Sequence, residues 1–141
     1  EYGASTGRPR RCGWYDAVAV RYAARVNGLS ALAITKLDVL DGLDKLELCT
    51  AYRCGTETLT EMPGDVAQLA ACEPVYETVP GWTEPTRGIT EFAKLPKNAQ
   101  AYVRRLEETS GVKAAIISTG SDREHTILRD GLIAAVATVN G

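Results

Sequence analysis

The sequence predicts an α/β fold built on a mostly parallel sheet, and three observations lead there. Residues 29–34 and 112–117 are short apolar runs with the character of buried strands. The second run follows a helical pattern over residues 98–111 through a tight turn, the helix-to-strand half of the crossover that joins parallel strands. Both runs end in small polar motifs, Thr35-Lys36-Leu37-Asp38 and Ser118-Thr119-Gly120. In open parallel sheets ligands bind beyond the carboxyl ends of the strands, so the two motifs can face one crevice.

The remaining elements follow in order. Residues 1–12 form a Gly- and Arg-rich loop. The apolar positions Ala17, Val18, Val20, Tyr22, Ala23, Ala24 and Val26 predict a well-buried helix, opened by Asp16 as N-cap and stopped by Asn27-Gly28. Residues 35–42 are the loop leaving the first strand, where Gly42 can redirect the chain. Residues 46–52 alternate as a half-buried strand, Arg53-Cys54-Gly55-Thr56 reads as a turn, and residues 57–60 complete a small hairpin. Residues 65–71 suit a short helical turn and residues 74–79 an extended segment. Pro80, Pro85 and Pro96 mark an irregular stretch up to Lys97, with Trp82 packed inside it as an anchor. In the helix over 98–111, Ala99, Tyr102, Val103 and Leu106 share the core face. Arg104, Arg105, Glu107 and Glu108 read as a solvated face.

Composition narrows the class. The 141 residues suit one domain or part of a larger one, and 45% hydrophobic with 24% charged residues allows a packed core. A formal charge of -2 speaks against a general nucleic-acid coat. No apolar run approaches the ~20 residues that cross a bilayer, so no membrane partner is expected. The chain opens on a loop-like segment with neither a leader pattern nor an initiator Met, which fits a piece of a longer polypeptide. Cys12, Cys49, Cys54 and Cys72 match no zinc or redox spacing. They read as structural thiols, Cys49 in the core, in a reducing cytoplasm.

Three motifs carry chemistry. Guanine offers two adjacent donors, N1–H and the exocyclic amine, and one carboxylate can accept from both in a charge-assisted pair. Asp38 has the position for this at a strand end, and Lys36 can lay its aliphatic stem along the base plane. A chance Lys-x-Asp turn is the alternative for the tetrapeptide taken alone. Ser118-Thr119-Gly120 supplies a second strand-end turn, where Gly120 removes side-chain bulk so that backbone N–H groups can approach the base. Ser5-Thr6-Gly7-Arg8-Pro9-Arg10-Arg11 combines guanidinium groups, hydroxyls and a Gly, all suited to carboxylates or phosphates. For this segment an anion-binding loop and a solvent-exposed basic tail both stay open. His125, the single His, reads as a surface or capping residue rather than a general base. No G-x-x-x-x-G-K-[ST] phosphate loop is present in these residues.

Four blocks then carry a resemblance. They are Gly-Arg-Pro-Arg-Arg-Cys-Gly-Trp (7–14), Thr-Lys-Leu-Asp-Val-Leu-Asp-Gly (35–42), Val-Tyr-Glu-Thr-Val-Pro-Gly-Trp (75–82) and Ile-Ser-Thr-Gly-Ser-Asp-Arg (117–123). In this order and spacing the chain resembles the C-terminal third of the adenylosuccinate synthetase family, from Gly3 to the region of Asp130. The resemblance implies a C-terminal portion of a mostly parallel, P-loop-type ligase fold with a small hairpin and irregular insertion. It implies a single fragment, residues 1–141, of a larger catalytic domain in a cytoplasmic, homodimeric enzyme of purine biosynthesis. That enzyme joins IMP to L-aspartate using GTP and Mg²⁺, by phosphorylating the 6-oxygen of IMP and displacing phosphate with the aspartate amine.

Residue by residue, the resemblance matches Ala4, Ser5, Thr6, Gly7, Arg8, Pro9 and Arg10 to the loop that closes over aspartate. Arg8 also corresponds to a contact with IMP, and Arg10 stands between aspartate and the GTP side. Lys36, Leu37 and Asp38 match the first guanine loop (35–42), and Ser118, Thr119 and Gly120 the second (118–123). Two local departures are Ser5 where Thr is common and Ser121 where Pro is frequent. The family's phosphate loop, catalytic residues and metal ligands lie upstream, so no catalytic or metal-binding residue is expected in this chain and the fragment alone is expected to be inactive. The alternative function is a stand-alone guanine-nucleotide-binding module without catalysis, and a purely structural, partner-binding domain is a third.

Overall fold

A single long strand organises the first sheet in the computed structural model, which describes Tyr2, Gly3 and residues 5–129. That strand, β3 (Leu43–Cys54), pairs in parallel with β1 (Tyr15–Asp16) and antiparallel with β4 (Glu57–Leu59) and β5 (Glu73–Trp82). A second sheet pairs β2 (Leu32–Ile34) in parallel with β6 (Ala114–Ser118), and β6 antiparallel with β7 (Thr126–Leu128). Among the described residues the sheets are therefore mixed rather than mostly parallel. The reason is connection length, because the two-residue turn Gly55-Thr56 leaves no room for a crossover.

Three α-helices complete the order among the described residues. α1 (Ala17–Asn27) is capped as predicted: Ala19 N donates to Asp16 Oδ1 at 3.0 Å, and Gly28 adopts left-handed backbone after the last turn. α2 (Val66–Ala70) is a short turn capped by Asp65. α3 (Lys97–Ser110) lays Ala99, Tyr102, Val103 and Leu106 into the main core, where Leu37, Leu46, Leu48, Trp82 and Ile117 meet them. Trp82 and Tyr102 pack with ring centroids 5.9 Å apart, and burial pushes the Tyr102 hydroxyl up to about 12.

Several expectations change. β3 and β5 are longer than the alternation showed, and Pro74 and Pro80 lie inside β5. In the described sheet β5 pairs on one side only, the edge position at which a strand tolerates proline. The helix face bearing charge is not simply solvated. Glu107 is 4% exposed, accepts from Ala114 N at 2.8 Å, and pairs with Arg129. Arg105 makes a two-point pairing with Glu77, Nε to Oε1 at 2.9 Å and Nη2 to Oε2 at 2.7 Å, which holds the Glu77 carboxyl below its ordinary value.

The thiol reading also fails for two cysteines. Cys54 and Cys72 form a disulfide with Cα atoms 4.4 Å apart. Arg53 faces Glu73 in the β3–β5 ladder, so the next residues outward in the same register are Cys54 and Cys72. Cys49 is buried as a free thiol, and burial raises its pKa. The reading for Ala4 falls outside the described residues.

Gly81 explains how closely the two long strands approach. A Cβ there would sit 1.8 Å from the Leu43 carbonyl oxygen, and that oxygen is main chain, so no rotamer change relieves it. Gly81→Ala should destabilise folding by about 2–4 kcal/mol, seen as a lower urea midpoint at unchanged slope. An unchanged midpoint would refute the contact.

Candidate functional site

The parallel pairing of β2 with β6 builds the candidate site. Ile34 lies opposite Ile117, so Thr35 and Ser118 leave adjacent strands at the same carboxyl edge. The structure thus brings the two strand-end motifs together, as the spacing of the apolar runs allows but does not require.

The first loop is held from below. Lys36 takes left-handed backbone (φ 60°, ψ 42°), the sole non-Gly residue with positive φ among the described ones. A 3₁₀ turn over Leu37–Leu40 follows, closed by Val39 N to Lys36 O at 3.2 Å and Asp41 N to Asp38 O at 3.3 Å. Leu37 is 1% exposed and belongs to the main core. Asp38 is half-buried. This division puts the apolar side chain of the tetrapeptide inward and leaves its carboxylate at the sheet edge.

The second loop is similarly pinned. Thr119 is fully buried, and its hydroxyl donates to the Ile89 carbonyl at 2.9 Å. Ser118 Oγ donates to the Gly120 carbonyl at 2.9 Å, and Thr119 N donates to the His125 carbonyl at 2.9 Å. The side chains of Leu37 and Thr119 face inward, so either residue can meet a ligand only through its backbone.

The Arg-rich segment is a closed turn rather than a loose tail. Gly3 N donates to Arg8 O at 2.9 Å, Gly7 N to Gly3 O at 2.8 Å, and Tyr2 bridges Pro9. Gly7 needs its positive φ of 62°. Ser5, Thr6, Arg8, Pro9 and Arg10 are exposed around this turn. Its outgoing end reaches the first loop, because Cys12, Thr35 and Lys36 line one cavity of about 490 Å³ with Tyr102 at its wall.

Sequence reasoning missed three supporting groups. His125 packs against Gly120, where an added Cβ would lie 2.5 Å from Nδ1, and faces Gly88, where an added Cβ would lie 3.5 Å from Nε2. Gly120 is therefore needed as much for the ring behind it as for space in front. Asp41 accepts three hydrogen bonds, from Trp82 Nε1 at 2.7 Å, Thr86 Oγ1 at 2.8 Å and Thr86 N at 2.7 Å. Thr86, wholly buried, gave no sequence signal beyond its place in a Pro-rich stretch. The described residues contain no group of three or more His, Cys, Asp or Glu side chains able to hold a metal ion.

Mixed sheets with two strand-end loops beside a short parallel pair define an α/β protein with a composite surface site. A family model described as adenylosuccinate synthetase matches residues 1–127. The chain belongs to the adenylosuccinate synthetase family. It is 59% identical over 129 residues to adenylosuccinate synthetase of Halorhodospira halophila, covering 92% of this chain and 30% of the relative. To the Coxiella burnetii protein of that name it is 50% identical over 141 residues, covering 100% and 32%. A solved structure of fully ligated adenylosuccinate synthetase from Plasmodium falciparum superposes with a TM-score of 0.86 at 36% identity, covering 92% of this chain and 32% of that one. The chain thus spans about a third of the length of these relatives.

The Gly120 contact is testable by itself. Gly120→Ala should destabilise folding by about 1–3 kcal/mol, and His125→Ala in the same chain should return most of that loss. Equal melting temperatures for the wild type and the single variant would refute the packing.

Proposed function

We propose that this chain is the C-terminal portion of a GTP-dependent C–N ligase that joins IMP to L-aspartate, giving adenylosuccinate, GDP and phosphate. The observation that carries the reading is the β2–β6 register, which sets the Lys-x-Asp and Ser-x-Gly loops side by side in a chain of this family. Asp38 accepts from guanine N1–H and the exocyclic amine, a pairing that adenine cannot offer. The Lys36 stem covers the base plane, and backbone groups at Ser118–Gly120 meet its other edge.

The closed turn at residues 3–10 is the aspartate loop of this proposal. Arg8 grips substrate carboxylate and the IMP side, and Arg10 stands between aspartate and GTP. Pro9 and the Gly3–Arg8 hydrogen bond present the two guanidinium groups on a shaped turn, which reduces the ordering cost of binding. In this proposal magnesium, the phosphate loop and the catalytic groups belong to the rest of the polypeptide. The parent fold is a P-loop-type, mostly parallel sheet that β2 and β6 extend, in a cytoplasmic homodimer. In a reducing compartment Cys54 and Cys72 would stand as adjacent thiols in the same register.

A stand-alone nucleotide-binding module is disfavoured by the relatives, of whose length this chain covers about 30%. Two outcomes test the proposal. In the full-length enzyme Asp38→Asn should raise KM for GTP by about thirtyfold or more, since it removes one acceptor of a charged pair worth about 2 kcal/mol; an unchanged KM would sink the guanine assignment. The purified 141-residue chain should form no adenylosuccinate, and detectable turnover would overturn the division of labour.

A further inference from the structure

The two strand-end loops are joined by a third segment, which has no part in the proposed contacts with GTP, IMP or aspartate. Its near end is the Asp41 carboxylate, which lies three residues beyond Asp38 across the 3₁₀ turn. Oδ1 accepts from Trp82 Nε1 and Thr86 Oγ1, and Oδ2 accepts from Thr86 N, at 2.7 to 2.8 Å. Gly42 N adds a main-chain bond to Trp82 O at 2.9 Å. Trp82 is 3% and Thr86 0% exposed, so these bonds are shielded from competing water. The far end reaches the other loop. Ile89 N closes a turn onto Thr86 O at 3.1 Å, Gly88 N donates to Thr119 O at 3.2 Å, and Thr119 Oγ1 donates to Ile89 O.

Asp38, Asp41, Thr86, Ile89 and Thr119 therefore form one continuous connection between the loops. We infer that residues 82–89 act as a strap setting the distance between the two guanine loops, with Asp41 and Thr86 as positioning residues for base selectivity. The inference rests on the guanine reading of Asp38. Its physical basis is that a carboxylate receiving three donors has no equal in an amide. Asn at position 41 keeps one acceptor and turns an N–H₂ toward a donor, so one side of the strap must part. A shift of a few tenths of an ångström at Asp38 matters most where two hydrogen bonds must be met at once, at the N1–H and exocyclic amine of guanine.

The test uses the full-length enzyme with GTP and with inosine triphosphate, which lacks the exocyclic amine. Asp41→Asn should raise KM for GTP about tenfold and KM for inosine triphosphate much less, lowering the preference for GTP, with KM for IMP unchanged. Thr86→Val should act in the same direction, and Thr86→Ser, which keeps the hydroxyl, should retain the preference. Should Asp41→Asn fail to fold, Thr86→Val supplies the same readout. A lower melting temperature or kcat with an unaltered GTP preference in these variants would overturn the positioning role. If Asp38→Asn alone leaves the preference intact, the guanine reading itself fails, so the two failures are distinguishable.

Discussion

A buried carboxylate decides where the candidate site can be. Glu107, in the last turn of α3, takes the amide of Ala114 at the first residue of β6 and the guanidinium of Arg129 just past β7. Lys113 reaches it from the turn at 3.5 Å. With 4% exposure, this group cannot lose its partners without leaving a desolvated charge, a penalty of about 3–5 kcal/mol. The requirement sets the point at which the chain turns from helix to strand. β6 starts opposite Leu32, and an irregularity after that pair brings Ile117 opposite Ile34, so that Ser118 emerges beside Thr35. The polar network behind the sheet thus anchors the start of the strand whose far end carries the second loop.

The same division recurs in each loop. Each of the three loops has inward contacts that carry the packing and presents polar groups on its outer side. Leu37 enters the core beneath Lys36 and Asp38, Thr119 binds the Ile89 carbonyl beneath Ser118 and Gly120, and the Gly3–Arg8 bond closes the turn that displays Arg8 and Arg10. Loops carry binding groups well when a scaffold removes their freedom beforehand. Here the scaffold is one core running under both sheets, so α3, β3 and the strand pair β2–β6 fold as interdependent parts.

Features that depend on neighbours in sequence were readable from the residues: the Asp16 and Gly28 caps, the Gly55-Thr56 hairpin, the Asp65 turn, the α3 core face and the strand-end motifs. Those that depend on register were not. Cys54 and Cys72 are 18 residues apart, a spacing without meaning until the β3–β5 ladder aligns them. Glu107 lies on the helix face that charge counting assigns to water, because its partners come from β6 and from beyond β7. Pro80 masked the end of β5, since only pairing order shows that a strand is at an edge. Trp82 was recognisable as buried, whereas its bond to Asp41 was not, for the two stand 41 positions apart.

The left-handed backbone of Lys36 has a consequence for how such a site can change over generations. A residue with a Cβ pays roughly 1–2 kcal/mol in this conformation, which glycine avoids, offset in part by the greater unfolded-state freedom of glycine. Selection for thermal tolerance alone would favour glycine at position 36 and would delete the stem that covers the base in the proposed function. A stabilising screen blind to activity would therefore trade this lysine, and the stem it offers the base, for backbone ease.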